Sequence, residues 1–334
     1  MLILSQKKEN GMEFPLPLRT AIEQKAQDSS TAELIREAQG LSQRYREESG
    51  QGKRLVTTDR QAFVYAAVRM PATFGAVAAA LEHTLPFLED APTSLLDVGA
   101  GTGAAAWAAD SLLSLESVSC LEREPAMARL GQSLMSAGSE PLQTARWIPG
   151  DLTDKNPLPA RAGLVSAAYV LNEVREEDRP AVLLRLWAAA EDVLLLIEPG
   201  TPEGFRQLRA ARDCLLAQGA VLLAPCPHQK PCPLPSDDWC HFTCRIARSR
   251  LHRQLKGADA PYEDEKFCYL AFGRSASNRA VSRVLRHPQI ESGRITLRLC
   301  TRSGLITLPV RKRDGSLFKS ARKASSGDAF PFEG

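Results

Sequence analysis

A doubly wound α/β fold, a largely parallel sheet covered by helices on both faces, is what this sequence of 334 residues predicts. Two observations carry that expectation. From Ser94 onward, short apolar runs alternate with stretches of helical length, the pattern of strands joined by crossover helices. The first run, Leu95-Leu96-Asp97-Val98, enters a turn containing Gly99, Gly101 and Gly103 that opens a helix. Composition agrees: 44% hydrophobic and 24% charged residues describe an ordinary globular chain and exclude disordered, collagenous and fibrous classes.

Taken in order, residues 1–90 read as a helical N-terminal region, with Pro71 breaking its second stretch into two helices. Residues 91–279 form the α/β domain. Its strand candidates are 94–99, 117–122, 145–151, 163–171, 192–200 and 220–225, and helices are expected at 103–114, 125–138, 176–190 and 202–219. The last helix has clear ends: Thr201 as N-cap, Pro202 at the first helical position and Gly219 just beyond the stop. A Pro/Cys/His-rich insertion, 225–244, then interrupts the alternation. A basic helix-like stretch follows it, and 269–274 reads as a return strand. Residues 280–334 form a basic β extension and tail, with a hairpin around Ser303-Gly304. No internal repeat is present. No apolar run reaches the roughly 18 residues of a membrane-spanning helix, so no membrane partner is expected, and the apolar start of the chain is too short for a signal peptide.

The net charge of +3 conceals a polarity. Residues 245–323 carry 19 Lys and Arg against 6 Asp and Glu, whereas the rest carries 23 against 33. Such a basic segment suits an anionic partner, above all nucleic acid. Its candidates are Arg245, Arg248, Arg250, Arg253 and Lys256, then Arg311-Lys312-Arg313, Lys319, Arg322 and Lys323. For Trp239 and Phe242, packing is favoured over stacking on an unpaired base.

The glycine turn brings a backbone close to a ligand where side chains would obstruct it. Read loosely, it also meets a dinucleotide fingerprint, but its acidic partners favour S-adenosyl-L-methionine (SAM). Asp97, two residues before Gly99, is placed to hold the ligand's ammonium; Glu122, ending the next run, to accept the ribose hydroxyls; and Asp151, after the third, to contact the adenine amino group. The motif resembles that of the class I SAM-dependent methyltransferases, with Asp97, Gly99, Gly101 and Gly103 matching their first motif and Glu122 their second. That resemblance implies a Rossmann-like sheet. Asn172-Glu173 stands where many such enzymes place acceptor-side residues, but no Asn-Pro-Pro-Tyr sequence is present, and no catalytic residue is assigned.

Of eight cysteines, Cys120, Cys214 and Cys268 fall on strand or helix patterns and read as core residues. Cys226, Cys232 and Cys240 lie in the insertion among prolines that hold the chain extended, which lowers the entropy of gathering thiolates around one centre. Paired Cys-x2-4-Cys knuckles of a zinc site are lacking among them, and the wide spacing favours an iron–sulfur cluster over zinc. Cys244, Cys300, His228 and His241 are all candidates for the fourth ligand. A radical-SAM triad, Cys-x3-Cys-x2-Cys, is absent.

The glycine turn, Leu171-Asn172-Glu173, Ile197-Glu198-Pro199-Gly200, Pro225-Cys226-Pro227-His228, Cys232-Pro233-Leu234 and Asp238-Trp239-Cys240-His241-Phe242 together resemble the methyltransferase-like assembly factors of the mitochondrial small ribosomal subunit and their bacterial relatives. The resemblance covers about residues 60–325. It implies a 4Fe-4S cluster held by Cys226, Cys232, Cys240 and the remote Cys300 in preference to Cys244, and binding to the rRNA of the small ribosomal subunit in its assembly or in translation. The rival reading is an active SAM-dependent rRNA methyltransferase with a structural zinc or iron–sulfur site. The start of the sequence lacks a transit-like composition, so a cytoplasmic, bacterial setting is expected, as is a monomer.

Overall fold

The computed structural model of the chain describes residues 12–27, 30–48, 54–275 and 279–333. Its main sheet contains β1 (Ser94–Val98), β2 (Ser117–Glu122), β3 (Arg146–Pro149), β4 (Ala162–Ala168), β5 (Ala190–Pro199), β6 (Val221–Ala224), β7 (Phe242–Ala247) and β8 (Tyr262–Gly273). The strand order is β3-β2-β1-β4-β5-β8-β6, with β7 also paired to β8. Strands β1 to β5 pair in parallel and β8 runs antiparallel to β5 and β6. This is the largely parallel, Rossmann-like sheet that the sequence predicts.

The reason lies in the apolar runs. Successive residues of a strand point to opposite faces, so Leu194 and Leu196 enter one buried cluster and Leu195 and Ile197 another. A strand buried on both sides must be apolar throughout. One face packs on α8 (Arg179–Ala189) and α9 (Pro202–Ala217). The other packs on α3 (Asp59–Val68), α4 (Met70–Glu82), α5 (Ala104–Asp110) and α6 (Pro125–Met135), and the same cluster takes in Leu18 and Leu34 of the N-terminal helices.

A capping box opens α3: the Thr58 side chain accepts from the Gln61 N–H, and the Gln61 side chain accepts in return. The helix breaks from α4 just before Pro71, the axes bending by 51°, as expected from a proline that cannot continue the hydrogen-bond ladder. Among the described residues no single helix is long and apolar enough to cross a membrane; the bent pair passes such a test by length and composition together, and α4 is buried along most of its length.

Strand β8 is longer than the expected return strand. Its second half pairs with β6, ending at Ala224↔Ala271, and its first half with β7, beginning at Phe242↔Phe267. Residues 225–241 therefore leave and re-enter along the same edge, opposite Cys268–Leu270. The basic segment read as one helical stretch is instead β7 followed by a short helix, Arg250–Lys256. The first half of β8 alternates exposed and half-buried polar residues, which leaves no apolar signal, and cross-strand ion pairs such as Arg245 with Asp264 at 2.7 Å hold it instead.

The C-terminal sheet is built on β11 (Arg294–Thr301), which forms with β12 (Gly304–Arg311) the expected hairpin around Ser303-Gly304. The other edge of β11 takes β9 (Ser282–Val284) and β10 (Gln289–Glu291), and β13 (Ala329–Phe330) pairs with β9. Helix α11 (Ser316–Lys323) closes this sheet's small core through Ala321, Leu317 and Phe318.

Candidate nucleoside cleft and cysteine cavity

Gly99, Gly101, Glu122 and Asp151 line one cleft of about 150 Å³ at the carboxyl ends of β1, β2 and β3, where open α/β sheets bind ligands. Gly99 has φ +70°, and a Cβ there would stand 2.7 Å from Val170 Cγ2, so the turn admits glycine alone. The Gly101 N–H donates to Glu122 Oε2 at 2.6 Å and the Glu124 N–H to Oε1 at 2.8 Å. Glu122 thereby fastens the turn to the end of β2 as well as lining the cleft. Asp97 does not line it: 2% exposed in β1, it accepts from Ser166 Oγ at 2.8 Å through Oδ1 while Oδ2 is buried without a partner. Gly103 faces Met135 and Trp147 rather than the cleft.

Buried carboxyls gather in and near the cleft. Burial pushes Glu173, in the lining, to about 7, and Asp97 and Glu198, outside it, to about 7 and about 8; Glu122 is also raised by burial. Asp151 goes the other way, because bonds from Thr153 and the charge of Arg123 outweigh its burial. Arg123 reaches Asp151 at 3.6 Å and Glu173 at 3.3 Å. Arg54 clamps Glu124 at the rim with two bonds of 2.7 Å. Asn172, expected on the acceptor side, lines the cleft with a buried Oδ1 that has no partner.

Sequence reasoning missed Arg123, which follows Glu122 directly and was open to notice. It also missed Tyr169, for which there was no signal: this residue takes φ +60° and donates to Glu265 Oε1 at 2.9 Å. The Glu122 and Glu173 carboxyls in the lining fit a ligand that brings a cation, as the ammonium and sulfonium of SAM do.

On the far side of β8, the looping-out of residues 225–241 creates a second cavity, of about 40 Å³. Cys226, Cys232 and Cys240 line it from the loop, and Cys300 from β11. Burial raises the thiols of Cys226, to about 11, of Cys240, and of Cys300, to about 12, with the neighbouring cysteines adding to the effect. Cys268, expected in the core, is buried but also lines the cavity, its thiol donating to the Cys240 carbonyl at 3.0 Å.

The alternatives for a fourth ligand separate cleanly. Cys244 is buried against α4, its Sγ 3.2 Å from where a Cβ on Gly75 would stand, and it does not line the cavity. His241 stacks on Trp239, centroids 5.3 Å apart. His228 does line the cavity, with Nε2 3.7 Å from Cys300 Sγ. Among the described residues no three His, Cys, Asp or Glu side chains converge on one ligating point; the four cysteines line one cavity. Five thiols, those of the four predicted ligands and Cys268, with buried arginines and no carboxylate in the lining are a donor set suited to a thiolate-held centre.

A sequence profile described as mitochondrial small ribosomal subunit Rsm22 matches residues 59–331. The chain belongs to this family. It is 30% identical over 301 residues to the human mitochondrial ribosome assembly protein METTL17, covering 82% of this chain and 63% of that protein. To the mitochondrial Rsm22-cox11 tandem protein 2 of Schizosaccharomyces pombe it is 25% identical over 334 residues, covering 83% of this chain and 44% of that protein. The chain thus spans less than two thirds of these relatives' length. Among solved structures, magnesium protoporphyrin IX methyltransferase of Synechocystis PCC 6803 with bound SAH is 16% identical, with a TM-score of 0.40, over 64% of this chain and 87% of that one.

Membership of the Rsm22 family corrects one expectation. The cytoplasmic setting read from the start of the sequence is overturned by the family's description and its relatives' names, which are mitochondrial and point to mitochondria. The physical reason is that location is set by an address read by receptors, not by the composition of a folded domain.

The Rsm22-family chain divides its basic residues into two kinds. Arg245, 42% exposed, pairs with Asp264 at 2.7 Å, and the half-buried Arg248 and Lys256 both pair with Glu263, so these three have carboxylate partners within the protein. Arg250 and Arg253, and Arg311, Lys312, Arg313, Lys319, Arg322 and Lys323, are exposed. The last six lie at the end of β12 and along α11. Phe242 is buried at 1%, and the Trp239 indole donates to the Gly200 carbonyl at 3.0 Å, as packing roles require.

Proposed function

We propose that this protein acts in assembly of the small ribosomal subunit, holding SAM in the cleft and a 4Fe-4S cluster on Cys226, Cys232, Cys240 and Cys300, and binding rRNA through its basic C-terminal face. The observation that carries the reading is the meeting of Cys300 with three cysteines of the 225–241 loop around one cavity. Thiols ranged about a space suit a cubane better than a single zinc ion, whose ligands must close to about 2.3 Å on one point. A bound cluster supplies iron–thiolate bonds that tie the loop to the C-terminal sheet, and that sheet with α11 carries the exposed basic residues. In the cleft, Gly99 and Gly101 admit the nucleoside, Glu122 holds the turn, and Glu173 in the lining, with Asp97 and Glu198 buried outside it, offers carboxyls that ionise when a cationic ligand binds.

The test is anaerobic purification with iron, sulfide and zinc analysis of the native chain, Cys300→Ser and Cys244→Ser. The expected result is about four irons and four sulfides per chain in the native protein and Cys244→Ser, with a loss in Cys300→Ser. Zinc without iron in the native protein contradicts the cluster.

A second reading, methyl transfer to rRNA, is favoured by one feature: the unpartnered Asn172 Oδ1 in the cleft, an acceptor suited to a nucleobase amino group. Transfer of labelled methyl from SAM to small-subunit particles, abolished in Asp97→Ala, supports it; particle association that survives Asp97→Ala but fails in Cys232→Ser supports the assembly role.

A further inference from the structure

The cysteine cavity holds more than thiols. Arg212 of α9 and Arg283 of β9 line it at 4% and 1% exposure, and no Asp or Glu is among the lining residues. Arg283 donates from Nε to the Pro225 carbonyl and from Nη1 to the Gly327 carbonyl, both at 2.8 Å, while Nη2 is buried with no partner. Arg212 donates to the Lys230 carbonyl at 2.5 Å and lines the cavity with Cys226, whose thiol its charge acts to lower, while its Nε is buried with no partner. The carboxylate nearest Arg212, Asp213 at 3.3 Å, is 76% exposed, so water screens it. Two guanidinium charges are therefore buried with carbonyls and thiols but no buried carboxylate, an arrangement that is costly unless an anion completes it.

We propose that Arg212 and Arg283 are the built-in counter-charges of the metal–thiolate centre, positioning residues that hold its thiolates and set its reduction potential. The inference rests on the cysteine-centre reading and names residues that act on it. Four thiolates around a 4Fe-4S core leave a net charge of about −2, which two buried guanidinium groups balance. Arg212 reaches the centre through Cys226. Arg283 joins it to the fold, because its two carbonyl bonds tie β9 to the start of the loop and to the segment before β13. The His228 Nε2 contact to Cys300 Sγ, 3.7 Å, adds a third polar neighbour. Potentials of such clusters follow net charge and hydrogen bonding at the sulfurs, and removal of an outer partner weakens a metal site about 10–100-fold.

The experiment uses the full chain, anaerobically loaded, as native, Arg212→Gln, Arg212→Lys and Arg283→Lys forms. Iron and sulfide content, the rate of iron loss to a chelator and the midpoint potential in a dithionite titration are measured, with circular dichroism as the check on folding. The expected result for Arg212→Gln is iron loss about tenfold faster and a midpoint shifted to more negative values, because a cluster that gains an electron has lost a neighbouring cation. Arg212→Lys and Arg283→Lys, which keep the charge, are expected to hold the native midpoint. A loaded Arg212→Gln protein with native midpoint and native iron loss overturns the inference alone. So does an Arg212→Lys protein as shifted as Arg212→Gln, since charge is then not the property at work. A native chain that takes up neither iron nor zinc overturns the cysteine-centre reading and this inference with it.

Discussion

Asp97, Glu173 and Glu198 are carboxyls that the fold keeps protonated well above their ordinary range, to about 7, 7 and 8, chiefly through burial. In the unfolded chain they ionise near pH 4. Between about pH 4 and 8 the native state therefore binds more protons than the unfolded state, and stability falls as pH rises. The contribution is complete below about pH 4 and is lost through pH 7 to 8. The ligand-free protein is accordingly expected to melt at lower temperature at about pH 8.5 than at about pH 6, and Glu198→Gln, which cannot ionise, to show a shallower decline. A melting temperature that rises over this interval, or a variant as steep as the native protein, would count against the assignment. The sequence placed the acidic residues at the strand ends but not their protonation, which depends on how completely the surrounding helices exclude water.

Helix α9 shows what an element takes from its own sequence. Thr201, Pro202 and Gly219 marked its ends correctly: the Thr201 side chain accepts from the Gly204 N–H at 3.1 Å, and Gly219 turns with φ +77°. Thr201→Ala is expected to cost about 1 kcal/mol in urea unfolding. Gly204→Ala is expected to cost more, since a Cβ there would stand 2.2 Å from the Pro199 carbonyl oxygen, a backbone atom. Equal stability of native and Gly204→Ala proteins would refute that close approach. The opposite case is β7 with the first half of β8. Arg245 and Arg248 read together with Arg250, Arg253 and Lys256 as one basic helical stretch, because the ion pairs that join the strands, Arg245 to Asp264 and Arg248 to Glu263, do not show until both strands are in place.

For the whole molecule, charge is distributed by the fold rather than by the count. The sequence showed a basic C-terminal quarter; the structure pairs Arg245, Arg248 and Lys256 with carboxylates of β8 and leaves Arg311, Lys312, Arg313 and the basic residues of α11 exposed. If these bind rRNA, replacing Arg311, Lys312 and Arg313 together by Gln is expected to flatten the dependence of log affinity on log salt by about two units, at about 0.7 per phosphate contact on single strands. Arg245→Gln serves as the control and should leave the slope unchanged. The same slope in the triple variant would place the RNA contact elsewhere.

What the sequence determined by itself is what neighbours along the chain decide: apolar runs that must be strands, a turn that only glycine can make at Gly99, caps at Thr201 and Gly219, and a proline-stiffened block that gathers three cysteines. Only the tertiary structure decided what distant segments do to one another. It set Cys300 beside Cys226 while turning Cys244 toward α4, joined Glu122 to the Gly101 amide, and brought Arg212 and Arg283 to the cavity from α9 and β9. The physical reason is that local structure follows from steric and hydrogen-bonding preferences within a few residues. A buried contact between elements far apart in sequence follows from the packing of whole faces, which no single segment records.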